Sequence, residues 1–214
     1  MTSTTDLQYA IGTNVDGVWG PKSRDALWAG IHNQSGSVFA ALAAYITQQH
    51  NSPALTSLGI ALADHLDLFE ITANAKRLAN FLGQGAHETM GFTRYRELWG
   101  PTKAQIGYEG RADLGNTHPG DGKRYMGRGI FQTTGRANYQ RVSERIGVDF
   151  VSNPVLLETP DMAVLSACIY WQDRKLGALA DAGKYDLITK RINGGTNGIE
   201  ERRAAVARAE RVLA

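Results

Sequence analysis

Apolar residues recur at helical spacing along most of the chain. The segment 37–50 places them three and four positions apart, which predicts an amphipathic helix, and residues 58–69 repeat the pattern. Thr72 is the expected N-cap of a third helix, which should end near Glu88. Its core face consists of Leu78, Phe81, Leu82 and Gly85.

The second half of the chain changes pattern twice. Residues 107–135 hold eight glycines at short intervals without sustained periodicity, which predicts loop and short strand. Helical spacing then returns in four segments, at 137–147, 160–174, 184–192 and 198–213. The predicted fold class is therefore mainly α, with a small glycine-rich β/loop insert.

The amino-acid composition is typical of a globular domain and argues against a dedicated nucleic-acid binder. Of the 214 residues, 43% are apolar and 21% are charged, as in ordinary globular domains. The formal net charge of +2 is far below that of a dedicated nucleic-acid binder, so no nucleic-acid partner is expected. The single cysteine, Cys168, lies in an apolar run typical of a buried helix and can form no intramolecular disulfide.

Glu88 is the first candidate for chemistry. It ends an apolar helix, where the negative end of the helix dipole and partial burial both favour the protonated carboxyl. A carboxyl that stays protonated can act as a general acid on a glycosidic oxygen. The alternative is a solvated glutamate at a helix end.

Two other glutamates are candidates for a general base. Glu97 follows a turn expected at Gly91 and could face Glu88 across a cleft, whereas Glu109 is the alternative base. Carboxyls roughly 6.5–9.5 Å apart leave room for a water and predict inversion, while about 5 Å predicts retention. Either residue could instead form a surface ion pair with a neighbouring arginine.

Other chemistries fit the sequence poorly. The His87-Glu88 pair lacks the second histidine of a zinc-peptidase motif, because Gly91 stands where that histidine is needed. No metal and no organic cofactor are expected. The run 120–139 lacks the spacing of a phosphate-binding loop, but its glycines and the polar side chains of Gln132, Thr134 and Asn138 suit a sugar chain.

Two resemblances to known families follow from longer motifs. Residues 6–29 carry the pattern LQxxIG…DGxWGPKSxxAL, which resembles one half of a small helical peptidoglycan-binding module. The motifs AHET (86–89), GFTRYRE (91–97), GNTHPGDGKRYMGRGIFQTTGRANY (115–139) and RINGGTNGIEER (191–202) resemble, in this order, glycoside hydrolase family 19, particularly its phage and bacterial endolysin branch.

The second resemblance implies roles for individual residues. It implies a lysozyme-like catalytic domain in which Glu88 donates the proton, Glu97 is the base and Thr134 helps to hold the water. Substrate contacts are implied for Gln132, Asn138 and Asn193, and Arg202 matches an arginine near the catalytic carboxylates. Plant chitinases of the family have a longer loop between the two acids, so their preference for chitin does not carry over directly.

The sequence thus predicts an endolysin that hydrolyses β-1,4 bonds of peptidoglycan, of lysozyme type, by an inverting two-carboxylate mechanism. A chitinase of the same fold is the first alternative. A non-catalytic wall-binding protein is the alternative of another class, although the presence of both Glu88 and Glu97 argues against it.

The expected organisation is an N-terminal helical segment, 1–52, and a catalytic domain, 53–214, in a monomer. The segment either retains the enzyme on the wall or covers part of the catalytic core. The start MTSTTDLQYA has no export-signal pattern, so accumulation in the host cytoplasm is expected until the membrane is opened. The resemblance implies a holin for that step, after which the enzyme would act on the periplasmic cell wall.

Overall fold

The computed structural model describes residues 2–214. They form twelve α-helices and four short 3-10 helices. The α-helices are α1 (Thr4–Ala10), α2 (Pro21–His32), α3 (Gly36–Thr47), α4 (Pro53–His65), α5 (Ala75–Glu88), α6 (Lys103–Ile106), α7 (Asp121–Arg124), α8 (Arg136–Ile146), α9 (Pro160–Asp173), α10 (Leu176–Asp181), α11 (Tyr185–Asn193) and α12 (Ile199–Leu213). The 3-10 helices are Asp67–Phe69, Ile71–Ala73, Ala112–Leu114 and Pro154–Glu158.

The predicted mainly α fold class is confirmed, but the start of α4 and the N-cap of α5 differ from the prediction. Helix α4 begins at Pro53 rather than near residue 58, because the Ser52 hydroxyl accepts from the backbone N–H of Leu55 and proline suits the first helical position. The N-cap of α5 is Asn74, not Thr72. Thr72 is buried in a 3-10 helix, where its hydroxyl donates to Asp67 instead.

The core is built around α5. Helix α12 packs along one side of it so closely that a Cβ on Gly83 would lie 2.6 Å from Cγ2 of Val206. On another side, the Phe81 ring lies between Phe131 and Trp171, with ring centroids 5.5 Å away in each case and tilted edge to face. Because α5 is fixed along its length, its last residue, Glu88, has a fixed position.

The N-terminal helices contribute to the same apolar core. Leu7 of α1 and Leu27 of α2 are fully buried and belong to the cluster that also contains α5 and α12. The indole N–H of Trp19 donates to the carbonyl of Val212, and that of Trp28 to the carbonyl of Leu213. The division of the chain at residue 52 stays a prediction, and its two parts share this core.

The glycine-rich insert differs from the predicted loop and strand. Within residues 2–214 its β-structure is limited to isolated bridges, which pair Arg128 with Arg96 and with Thr133. The 3-10 helix Ala112–Leu114 and the short helix α7 occupy part of the remainder. Long-range side-chain contacts hold this region, as where Arg136 forms a bidentate pair with the buried Asp121 carboxylate at 2.8 and 2.5 Å.

Three further observations concern a reactive thiol, a membrane-spanning helix and a metal site. Cys168 is fully buried, as expected, and burial raises the pKa of its thiol, which disfavours the reactive thiolate. No helix within residues 2–214 is long and apolar enough to cross a membrane. The same residues bring together no group of three or more His, Cys, Asp or Glu side chains that could hold a metal ion.

Candidate active site

Glu88 and Arg202 form an ion pair at the C-terminal end of α5. Nη2 of Arg202 donates to Oε1 of Glu88 at 2.5 Å. The arginine is 1% exposed, and the glutamate side chain is 14% exposed. The guanidinium fixes Oε1 of the carboxylate and leaves Oε2 as the oxygen that could carry a transferable proton.

A buried polar network continues behind this pair. Nη1 of Arg202 donates to Oε1 of Gln84 at 2.7 Å, and the Gln84 amide donates to the Thr189 hydroxyl at 2.8 Å. Nε of Arg202 donates to the carbonyl of Asn197. Because a buried cation is tolerated only when its donors are satisfied, this network holds Arg202 against Glu88.

The turn after Glu88 is conformationally unusual. Met90 and Phe92 adopt positive φ angles of 53° and 63°, which residues other than glycine rarely do. The Thr89 hydroxyl holds the turn by donating to the carbonyl of Gly85 and accepting from the N–H of Phe92. The buried Phe92 ring anchors it further. Residues in such conformations cluster at functional sites, where the surrounding structure enforces them.

Glu97 is held by the glycine-rich insert. Its Oε1 accepts from the backbone N–H of Gly127 at 2.6 Å, and its own N–H donates to the carbonyl of Gly127 at 3.0 Å. Its Oε2 accepts from the Gln105 amide at 3.1 Å. Burial raises the pKa of nearby Tyr108, and the Glu97 carboxylate adds to that rise. These hydrogen bonds hold the half-buried carboxylate of Glu97, the candidate base, in place.

Gly127 joins Glu97 to two predicted substrate-site residues. A Cβ on Gly127 would lie 2.4 Å from Oε1 of Gln132 and 3.2 Å from Oγ1 of Thr134. Gln132 has a positive φ of 53°, and its side-chain amide donates to the carbonyl of Gly129. The Thr134 hydroxyl donates to the carbonyl of Gln132. A side chain at 127 would therefore displace the Gln132 amide and crowd the Thr134 hydroxyl.

A cleft of about 490 Å³ opens beside these residues. Gln132, Thr134 and Asn138 all line it, together with Tyr170. The Asn138 amide donates to the carbonyl of Thr134 at 2.6 Å, so the polar wall is rigid. Hydrogen-bonding groups on an open concave surface are what a glycan needs for recognition.

Tyr170 relates the same cleft to Glu88. Burial raises the pKa of Tyr170, the Arg174 guanidinium opposes that rise, and the Glu88 carboxylate adds to it. The tyrosine thus lies within electrostatic reach of Glu88 while it forms part of the cleft wall. Neither Glu88 nor Glu97 lines the cleft itself; Glu97 is held by Gly127, which lies against the cleft residues Gln132 and Thr134.

Two predicted residues lie apart from this arrangement. Both carboxylate oxygens of Glu109 accept backbone N–H groups, from Gly120 at 2.6 Å and from Gly122 at 2.8 Å, so this side chain braces a loop. Asn193 is exposed at the end of α11, next to Ile192, which lines the cleft.

Sequence reasoning did not single out Gln84, Gly127 or Tyr170. One signal for Gln84 was present, since a polar residue on the apolar face of α5 lies one helical turn before Glu88. Gly127 and Tyr170 act through contacts with residues from other elements, which a pattern along the chain does not show.

Comparisons with known proteins identify the family. The family model for glycoside hydrolase family 19, described as class I chitinase, matches residues 35–193. A glycosyl hydrolase family 19 domain-containing protein of Haemophilus influenzae is 33% identical over 157 residues, which cover 60% of this chain and 76% of that protein. Endochitinase 1 of Theobroma cacao is 34% identical over 167 residues, which cover 64% of this chain and 52% of that enzyme.

The fold likeness extends to a solved structure. Chitinase C of Streptomyces griseus superposes with a TM-score of 0.62 at 18% identity, covering 82% of this chain and 93% of that one. The chain spans about half the length of the plant endochitinases that it matches.

Proposed function

Because the chain belongs to glycoside hydrolase family 19, we propose that it hydrolyses β-1,4 glycosidic bonds in the glycan strands of bacterial peptidoglycan. Glu88 is the general acid in this proposal, and Glu97 is the general base. The observation that supports it is a polar cleft whose wall residues Gln132 and Thr134 lie against Gly127, the residue that holds the Glu97 carboxylate.

The proposed reaction is a single displacement. Oε2 of Glu88 gives its proton to the leaving glycosidic oxygen, while Glu97 takes a proton from a water that attacks the anomeric carbon from the opposite face. The C–O bond to the leaving sugar breaks as the new C–O bond forms, which inverts the anomeric centre. The Thr134 hydroxyl donates to a backbone carbonyl and keeps its lone pairs available to position that water.

Glu97 is preferred over Glu109 as the base. Gly127 places Glu97 beside Gln132 and Thr134 of the cleft wall. Both glutamates use both carboxylate oxygens as acceptors, so the preference rests on position: Glu109 holds the backbone N–H groups of Gly120 and Gly122, neither of which lines the cleft. Gln132, Asn138 and Asn193 are proposed substrate contacts, and Arg202 positions Glu88.

Chitin is the second candidate substrate, because the plant and Streptomyces relatives are named chitinases. Peptidoglycan is preferred on the endolysin-type motifs around Glu88 and Glu97 and on the short connection between these two residues. Release through a holin and wall binding by residues 6–29 stay predictions.

Digestion followed by mass analysis tests the substrate. Purified sacculi and chitin hexamer are each incubated with the wild-type protein and with Glu88→Gln. Muropeptides with N-acetylmuramic acid at the reducing end would support lysozyme-type cleavage, and N-acetylglucosamine there would identify the other β-1,4 bond. Cleavage of chitin hexamer alone would overturn the peptidoglycan assignment and leave a chitinase.

A further inference from the structure

One part of the cleft wall carries two arginines without a carboxylate partner. Arg141 and Arg174 both line the cleft that contains Gln132 and Asn138. Both side chains are exposed, and neither takes part in an ion pair with any residue of 2–214. Their guanidinium groups are therefore available to a ligand in the cleft.

Both arginines are oriented by neighbours that leave donors free. The Arg174 guanidinium stacks over the Tyr170 ring at 4.5 Å from its centroid. Nη2 of Arg141 donates to Oδ1 of Asn138 at 2.7 Å. An arginine has five N–H donors, so most of them remain available at each position. The stacking partner and the amide reduce the side-chain freedom that a ligand would otherwise have to restrict.

The charge balance of the cleft is positive. Asp173 is the acidic residue in its lining, and Nη1 of Arg145 neutralises that carboxylate at 2.9 Å. The remaining charged side chains of the lining, Arg141 and Arg174, are both positive. A neutral polymer could accept hydrogen bonds from them, but only a polymer with carboxylates could also form charge-assisted, bidentate pairs.

We propose that Arg141 and Arg174 form a subsite for carboxylate groups attached to the glycan, those of the stem peptides of peptidoglycan. The inference rests on the proposed function and deepens it, because chitin carries no such groups. The catalytic carboxylates cleave the sugar backbone, and the arginine pair selects strands that carry acidic substituents.

The test compares charged and neutral substrates in the same enzyme. Soluble uncrosslinked peptidoglycan strands, the same strands with amidated carboxyls, and chitin hexamer are assayed with wild type, with Arg141→Gln/Arg174→Gln and with Arg141→Lys/Arg174→Lys. Arg211→Gln, an exposed arginine in the last turn of α12, is the matched control for loss of positive charge.

Loss of both guanidinium groups should lower the ratio of kcat/KM on charged strands to that on chitin hexamer about 5–10-fold, mostly through KM. The ratio should stay within about 2-fold in Arg211→Gln, which leaves the subsite intact. The lysine pair keeps the charge but loses the planar guanidinium and its stacking on Tyr170, so its ratio should fall less than that of the glutamine pair. Amidated strands should respond to the glutamine pair no more than chitin does. An unchanged ratio, or equal loss in the lysine pair, would overturn the subsite.

Binding separates failure of this subsite from failure of the proposed function. If wild type cleaves no peptidoglycan strand, the proposed substrate is wrong, and affinity is then measured with Glu88→Gln protein and the same strands. Binding that weakens when the strands are amidated, and that weakens to a similar extent when the glutamine pair is added, would still support the subsite. Binding indifferent to both changes would refute it. Strands stripped of peptides, which keep lactyl carboxylates, would show which carboxylate is held.

Discussion

Replacement of Glu88 by glutamine separates its chemical role from its structural one. The glutamine keeps an oxygen that can accept from Nη2 of Arg202 but has no proton to transfer. A hydrogen bond to a charged partner contributes roughly 1.5–3 kcal/mol, and this bond keeps one charged partner instead of two, so its contribution should fall towards the lower end, by about 1 kcal/mol. For a chain of this length, that lowers Tm by roughly 2–4 °C. Hydrolysis should fall about 10²–10⁴-fold.

The assay pairs turnover of the natural substrate with thermal unfolding of the same protein preparation. Glu88→Ala is not equivalent, because it leaves the buried Arg202 cation without its partner and should cost roughly 3–5 kcal/mol. Glu200→Gln, with a side chain that is 78% exposed, is the matched control and should keep activity within about 3-fold. A folded Glu88→Gln protein that retains more than about a tenth of wild-type turnover would refute the assignment of the acid.

Three further changes test neighbouring features. Gly127→Ala should lower kcat/KM more than about 10-fold with a small loss of Tm, because the new Cβ would lie 2.4 Å from the flexible side chain of Gln132, and steady-state kinetics would show it. Glu97→Gln should be nearly as damaging as loss of the acid and Glu109→Gln much less so, with the reverse order in kinetics moving the base to Glu109. Deletion of residues 1–35 should cost more than about 3 kcal/mol in urea unfolding, because it removes several fully buried core side chains, and full stability of the truncated chain would contradict this.

Helices with a long apolar face could be predicted from the sequence. The face of α5 predicts a helix that ends at Glu88, and the structure ends it there. Helix α12 likewise begins at Ile199, directly after the predicted Gly198. In these segments, burial of one continuous apolar stripe decides the structure, and that stripe is visible in the spacing of residues.

The N-cap of α5 could not be assigned from spacing alone. Thr72 and Asn74 are both residue types that cap helices well. The choice depends on Asp67, which accepts from the Thr72 hydroxyl and draws Thr72 into the preceding 3-10 turn. Asn74 is then left to accept from the N–H of Arg77.

The candidate site could be predicted in its residues but not in its connections. Glu88 and Arg202 were identified from motifs, yet their direct contact joins residues 114 positions apart in the chain, and Gln84 accepts from the same guanidinium. Such a network depends on the packing of α5 against α12. Glycine-rich spacing likewise predicts an open loop but not which glycine lies against the cleft residues Gln132 and Thr134, and in the structure that glycine is Gly127.

The pH dependence of stability contributed by His87 tests the packing of α5 against α12. Its ring lies against Gly198, where a Cβ would be 2.0 Å from Cε1, and Nδ1 lies 3.3 Å from the Glu201 carboxylate. Burial lowers the pKa of His87 and the Arg202 guanidinium lowers it further, while Glu88 and Glu201 act in the opposite direction. Protonation of His87 is therefore less favourable in the folded protein than in the unfolded chain.

A histidine whose pKa is lowered on folding binds fewer protons in the folded state. As pH falls through the ordinary histidine pKa of about 6.5, the wild-type protein should lose stability that His87→Gln does not lose. The Tm of wild type minus that of His87→Gln should therefore shrink between pH 7.5 and pH 5. His32→Gln, which removes an exposed imidazole from α2, controls for loss of one histidine. A difference that stays constant or widens towards pH 5 would show that His87 is protonated at least as readily in the folded protein, and that its environment between α5 and α12 is not the one described.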